Sequence, residues 1–111
     1  FPQPDQQTRD IRHRHDSVDQ YPPSRDRFWR LLQEQEVLSY VHGHTHKYSA
    51  VEIQGVWQLD AGQAMGVRAA PSRGTFLIIE VQGEHVRLKT YRGDDGPGFS
   101  FSLREEITLR P

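Results

Sequence analysis

Three of the six histidines of the chain fall within five residues, in His42-Gly43-His44-Thr45-His46. Residues two apart in an extended backbone point to the same side, so His44 and His46 could present two imidazoles to one cavity. Their Cα atoms would be roughly 6.5 Å apart, which suits one metal ion or two ions about 3.5–4 Å apart. Imidazole binds zinc, iron, manganese and nickel, so the spacing indicates a metal site without choosing the metal. Histidine-rich surface loops that bind nothing show the same spacing.

The surrounding residues predict that the cluster follows a buried strand. Ser24 can cap a helix expected over about 24–35. The apolar run 37–41 predicts a short strand that ends at Gly43. Segment 50–59 alternates apolar and polar residues around a glycine, which predicts a β-hairpin. Because the sites of α/β proteins collect where strands end, this context favours a ligand site over an incidental loop.

The C-terminal part of the chain is predicted to be β-structure. Segment 75–81 has the strongest strand pattern, and 85–91 alternates cleanly as its partner across a turn at 82–84. Residues 92–98 predict a loop because glycine, proline and aspartate dominate them. Residues 99–109 predict one or two edge strands.

Length and composition limit the domain and its partners. The 111 residues suit one small domain, with 1–23 as an irregular proline-rich loop and 24–111 as the fold. Only 34% of the residues are apolar, which predicts a thin core. A net charge of −1 predicts no nucleic-acid groove. The lack of cysteine excludes disulfides and thiolate metal sites, and no apolar run approaches the roughly 18 residues of a membrane span.

The stretch from residue 24 to residue 62 resembles the end of calcineurin-like metallophosphoesterases. That family has a helix, a buried strand, a Gly-His-x-His motif and a β-hairpin that ends in a turn of small residues. The matching segments are 25–35, 37–41, Gly43-His44-Thr45-His46, and 51–59 running into Asp60-Ala61-Gly62, and the later Thr90-Tyr91-Arg92 also looks like the family. The resemblance covers about 21–92. It implies an α/β fold: the C-terminal half of a four-layer α/β/β/α sandwich, here one helix plus a mostly antiparallel β-sheet (α+β as an isolated fragment).

The resemblance also implies a chemistry. In the family the first histidine of the motif binds one metal ion and the second binds the other. His44 and His46 would therefore be ligands of a dinuclear centre of divalent or trivalent ions, which could be manganese, iron or zinc. The substrate would be a phosphomonoester or phosphodiester, hydrolysed by a metal-activated water.

The family's Asp-x-His and Gly-Asn-His motifs do not occur in this chain. We therefore expect that the chain begins inside a longer protein and lacks the N-terminal half of the fold. The remaining catalytic residues are unknown, and the chain alone should be inactive. A half fold should also leave apolar surface uncovered, which favours self-association. The expected surface is the edge of 37–41 or one face of the hairpin that carries Phe76, Ile78, Val86 and Leu88.

Three further residues are candidates for supporting the metal ligands or contacting substrate: His42, Asp60 and His15. Asp60 follows a predicted strand near the motif and could orient a histidine. His15 lies in the N-terminal loop and could contact a phosphate, although a solvated polar loop is the simpler explanation. His85 alternates onto one face of a hairpin and is predicted to be structural or exposed.

Two other functions fit the same residues. A small metal-binding domain could hold a single ion on His42, His44 and His46. A non-catalytic, β-rich interaction module would carry the histidines incidentally. The number of bound ions separates the three functions: two per intact protein, one per chain, or none.

Overall fold

The computed structural model describes residues 18–43, 45, 47–62, 74–93 and 100–111. Within these ranges a 3₁₀ turn at Val18–Gln20 precedes one α-helix and six strands. The elements are α1 Pro22–Glu34, β1 Ser39–His42, β2 Tyr48–Ile53, β3 Val56–Ala61, β4 Thr75–Gln82, β5 His85–Gly93 and β6 Phe101–Arg110. No helix in the described ranges is long and apolar enough to cross a membrane.

The strands form two three-stranded sheets. In the first sheet the order is β1-β3-β2, with β1 parallel and β2 antiparallel to β3. The second sheet has the order β4-β5-β6 and is antiparallel. One helix with mostly antiparallel sheets confirms the predicted α/β class, but the strands divide into two sheets rather than forming the single sheet expected. Local alternation predicts strands and not their partners, so it could not show this division.

Helix α1 begins at Pro22, two residues before the predicted cap Ser24. Proline is tolerated in the first turn because those N–H groups have no intrahelical acceptor and its φ is already helical. Trp29 is buried, and its Nε1 donates to the Ile53 carbonyl oxygen at 3.3 Å. Its ring also meets Tyr40 of β1 edge-on, with 6.5 Å between centroids. The helix therefore covers one face of the first sheet.

The other face of the first sheet packs on the second sheet. Leu59 of β3 and Leu88 of β5 both have 0% exposure and share one cluster with Val86 and Leu109. Burying a side chain of this size contributes about 1.5–3 kcal/mol. The molecule is thus layered as helix, sheet and sheet, with its main core between the two sheets.

Tyr48 ties the two sheets together on the side of β2 and β6. Its hydroxyl donates to a Glu105 carboxylate oxygen at 2.6 Å and accepts from the Thr90 hydroxyl at 3.1 Å. Burial, and next the bond to Glu105, raises the pKa of Tyr48 to about 12. The phenol therefore keeps its proton at a pH where an exposed tyrosine would already ionise.

The opposite side of the sandwich, formed by the edge strands β1 and β4, is open. Ile79 pairs with Leu88 and shares its inward face, as does Val81 two residues further on. Even so, Ile79 is exposed and Val81 has 68% exposure. Val41, the register partner of Leu59, has 53% exposure. We call Val41, Ile79 and Val81 the open side, because their side chains belong to the inward apolar faces but are exposed.

The outer face of the second sheet carries a separate group of apolar side chains. Phe76 stacks on Tyr91 with 4.9 Å between centroids and lies 5.0 Å from Phe101. Phe76 and Ile78 are exposed, whereas Leu88 is buried on the inward face of the same hairpin. The hairpin that we expected to lack cover therefore has an exposed outer face and an inward face on which Val86 and Leu88 are buried but Ile79 and Val81 are exposed. We call Phe76, Ile78, Tyr91 and Phe101 the outer cluster.

The hairpin turns fall where the sequence predicts them. Gln54 and Gly55 both have positive φ, 51° and 86°, as a two-residue type I′ turn requires. Gly83, with a φ of 59°, makes the turn between β4 and β5. Segment 99–109 contributes a single strand, β6, with two register irregularities against β5.

Candidate metal site beside a buried aspartate

Gly43 and Thr45 of the histidine motif lie between β1 and β2, at the carboxyl end of the parallel pair formed by β1 and β3. His42 at the end of β1 is the register partner of Asp60 near the end of β3. Parallel strand ends bring polar residues from distant segments together. His44 and His46 lie outside the described residues, as does His15, so their assignment as ligands or substrate contacts stays a prediction.

Asp60 of β3 is the buried residue to which this turn is hydrogen-bonded. It has 0% exposure, and each of its carboxylate oxygens accepts a hydrogen bond. Oδ2 accepts from the Thr45 hydroxyl at 2.5 Å, and Oδ1 accepts from the Gly62 N–H at 2.8 Å. A buried carboxylate is stable only when its oxygens are satisfied in this way. One side chain therefore joins the histidine turn to the end of β3.

The two ring nitrogens of His42 lie near polar groups of described residues. Its Nδ1 lies 3.3 Å from the Gly43 carbonyl oxygen and 3.5 Å from Oδ2 of Asp60. Its Nε2 lies 2.9 Å from the Gln58 amide nitrogen. The two roles predicted for His42, supporting residue or ligand of a single ion, stay predictions.

Gln58 is an unusual residue for a central strand of the core. It is 1% exposed, and its Oε1 is buried with no hydrogen-bond partner within the described residues. An unsatisfied buried carbonyl costs about 1–3 kcal/mol. Its amide nitrogen contacts Nε2 of His42, so Gln58 helps to fix the ring of the histidine that precedes the motif.

The described donors alone do not make a metal site. Among the residues that the structure describes, no group of three or more histidine, cysteine, aspartate or glutamate side chains could hold an ion. Asp60 fits a supporting role, because a buried carboxylate beside the turn attracts a cation while it accepts hydrogen bonds from the Thr45 hydroxyl and the Gly62 backbone N–H.

Sequence reasoning missed Thr45 and Gln58 and explained Gly62 only as part of a small-residue turn. Gly62 has a φ of 78°, and a Cβ there would lie 3.0 Å from the Tyr48 backbone nitrogen, so the turn requires glycine. Thr45 stands between the two candidate ligands, which could have drawn attention to it. The bond from Gln58 to His42 follows from the parallel pairing of β1 with β3, for which the sequence carries no local signal.

A cavity of about 500 Å³ lies at the other end of the first sheet. Its lining combines α1 with the β2–β3 turn: Arg25, Asp26, Trp29, Arg30, Gln33, Ile53 and Gln54. Since Ile53 and Tyr48 are at opposite ends of β2, this cavity is separate from the histidine turn. His85 is likewise remote, exposed at the start of β5, which agrees with its predicted role.

No protein-family model matches this sequence, and no curated protein sequence matches it. Solved structures do match, and they have the calcineurin-like metallophosphoesterase fold of Vps29. Wild-type Vps29 of Entamoeba histolytica, solved in complex with Zn²⁺, aligns with a TM-score of 0.58 at 22% identity, covering 78% of this chain and 47% of that chain. The α/β metallophosphoesterase-like fold class is thereby established for the described elements.

Two further Vps29 structures agree. Vps29 of Chaetomium thermophilum, in complex with a cyclic peptide, has a TM-score of 0.58 at 16% identity over 79% of this chain and 50% of that chain. Vacuolar protein sorting 29 of Cryptosporidium parvum has a TM-score of 0.54 at 26% identity over 73% of this chain and 42% of that chain. The chain spans about half the length of the solved structures that it matches.

Proposed function

We propose that this chain is the C-terminal portion of a metal-dependent phosphoesterase, to which it contributes His44 and His46 as ligands of a dinuclear centre. The observation that carries the proposal is the buried Asp60 carboxylate bonded to Thr45, the residue between the two histidines. The metallophosphoesterase-like fold and the zinc complex of one Vps29 support it. The substrate class would be a phosphomonoester or phosphodiester.

When bound, a metal pair would activate water and neutralise phosphate oxygens. The residues of this chain would act on the turn that carries the ligands. Asp60 anchors Thr45 and Gly62 and places a negative charge behind the turn. Gln58 contacts Nε2 of His42, whose Nδ1 faces the Asp60 carboxylate. These contacts would hold in place the backbone that carries the two candidate ligands.

Calorimetric titration with manganese or zinc tests the ligand assignment. The wild-type chain should bind the ion, and His44→Ala and His46→Ala should each weaken binding by at least about 10-fold, since each ligand carries a share of the binding free energy. His85→Ala is the matched control, an exposed histidine on β5, and should change the affinity less than about twofold. Equal affinities in all four proteins would refute the assignment.

The fold similarity also supports a missing N-terminal half. The chain covers about half of each Vps29 structure that it matches, and the inward apolar residues of the open side lack cover. Strands that extend β1 and β4 would bury Val41, Ile79 and Val81. Because these three side chains are exposed, we propose that the chain associates with itself through the same side.

Light scattering over a concentration series tests this association. The wild-type chain should increase in apparent mass with concentration. Val81→Lys should abolish the increase, because a charge in the contact would have to be buried. Phe76→Lys, which alters the outer cluster instead, should leave the increase unchanged. A wild-type chain that remains monomeric at high concentration would contradict the proposed contact.

A second candidate is a protein-binding module in which catalysis has no part. The outer cluster favours it, because Phe76 and Ile78 are exposed on a sheet face and one Vps29 was solved with a cyclic peptide. Contiguous exposed apolar residues commonly mark protein contacts. The calorimetric titration and the light-scattering experiment distinguish the two candidate functions. The module predicts no metal binding and association that is sensitive to Phe76→Lys rather than to Val81→Lys.

A further inference from the structure

The cavity between α1 and the β2–β3 turn is built entirely from described residues. Its volume of about 500 Å³ falls within the roughly 300–1,000 Å³ of typical small-molecule sites. Asp26, Trp29, Arg30 and Gln33 line it at helical spacings of three and four, so one side of α1 forms one wall. None of the lining residues belongs to the histidine turn, so a ligand here would be bound apart from the candidate metal site.

Two hydrogen bonds hold the walls of the cavity together. The Trp29 Nε1–H donates to the Ile53 carbonyl oxygen, and the Gln33 side-chain amide donates to the Gln54 carbonyl oxygen, both at 3.3 Å. Trp29 and Ile53 are buried, so the base of the cavity is part of the packed core. The cavity is therefore formed before a ligand enters it, which lowers the entropic cost of binding.

The charges of the lining favour an anion. Arg25 and Arg30 carry two positive charges against the single negative charge of Asp26. The Arg25 Nε–H donates to Oδ1 of Asp26 at 2.9 Å, so these two charges compensate each other. Arg30 makes no ion pair with any residue that the structure describes. The surplus positive charge of the cavity is therefore that of Arg30.

We propose that this cavity binds a small hydroxylated phosphate of the sugar-phosphate class. A guanidinium such as that of Arg30 donates two parallel hydrogen bonds to phosphate oxygens. The Asp26 carboxylate accepts hydrogen bonds from hydroxyl groups, and the side-chain amides of Gln33 and Gln54 can donate and accept them. Because most of the lining residues are polar, the cavity suits hydroxyl groups better than an apolar body. The inference does not rest on the proposed function, since it uses neither the histidine turn nor a metal ion.

Nuclear magnetic resonance tests the site through a local signal, because the chain has two tryptophans. Trp29 lines the cavity, whereas Trp57 packs against the core between the two sheets. Glucose 6-phosphate is added in the presence of EDTA, so that no metal ion carries the phosphate. It should shift the indole N–H signal of Trp29 saturably and leave that of Trp57 in place. A Trp57→Phe variant assigns the two signals.

Two arginine variants and two partial ligands test the recognition itself. Arg30→Gln should weaken binding of glucose 6-phosphate by about 10-fold or more, because it removes charge-assisted hydrogen bonds. Arg27→Gln is the matched control: Arg27 is an exposed arginine of the same helix that does not line the cavity. Its loss should change the affinity less than about twofold, since salt screens a distant exposed charge. Glucose and inorganic phosphate should each bind at least about 10-fold more weakly than glucose 6-phosphate, because each lacks one of the two recognised parts.

Each alternative result overturns a stated part of the proposal. A Trp29 signal that does not move, or that moves together with that of Trp57, overturns the site. Equal weakening in Arg30→Gln and Arg27→Gln overturns the recognition by Arg30, because binding would then follow the net charge of the helix. Glucose or inorganic phosphate that binds as tightly as glucose 6-phosphate overturns the ligand class. All of these results leave the proposed function standing, because EDTA removes any contribution of a metal ion.

Discussion

With manganese present, the 111-residue chain is expected to hydrolyse p-nitrophenyl phosphate and its bis ester no faster than manganese alone. Two imidazoles without a bridging carboxylate hold a metal pair weakly, and the Asp-x-His and Gly-Asn-His motifs are absent from the sequence. Enzymes accelerate their reactions by about 10⁶-fold or more. The chain alone should therefore hydrolyse these esters at least about 10⁶-fold more slowly than an intact enzyme.

Release of p-nitrophenol, followed at 405 nm or a nearby wavelength, measures the rate. His46→Ala and His85→Ala should both give the rate of the wild-type chain, which is that of free manganese. Metal-dependent turnover that disappears in His46→Ala and persists in His85→Ala would show that this chain carries a complete catalytic site. The half-site interpretation would then be wrong, whereas the ligand role of His46 would be supported.

The elements of the fold were predictable because their signals are local. The alternation in 75–81 and 85–91 matches β4 and β5 to within two residues, since a half-buried strand needs one apolar face. Gly55 marked the first hairpin because a type I′ turn requires positive φ. The sequence predicts a start of α1 at Ser24 because proline usually breaks helices, whereas Pro22 is compatible with the first turn, where α1 begins.

The pairing of these elements could not be predicted in the same way. The parallel contact of β1 with β3 brings His42 beside Asp60 and Gln58, across 16 or more residues of sequence. Such contacts depend on the whole packing and not on any short pattern. For this reason Asp60 was only one candidate among several, and the roles of Thr45 and Gln58 emerged from the structure.

The core between the sheets leads to a stability prediction. Leu59 and Leu88 have 0% exposure in one cluster, so Leu59→Ala and Leu88→Ala should each leave a cavity and cost about 2–5 kcal/mol. A domain of this size is stable by only about 5–15 kcal/mol. Each substitution should therefore remove a large share of the stability, and the double variant should be unfolded in water. Urea denaturation followed by circular dichroism measures the loss as a lower midpoint with an unchanged slope.

Leu103→Ala is the matched control, because it deletes the same atoms from a leucine that is 49% exposed on β6. Its cost should be at most about 1 kcal/mol, since no enclosed cavity forms. The comparison tests the sandwich itself, because Leu59 and Leu88 belong to different sheets and are buried only if those sheets pack face to face. If Leu59→Ala cost no more than Leu103→Ala, the two sheets would not share a core. The inward direction of Val41, Ile79 and Val81, on which the open side depends, would lose its basis as well.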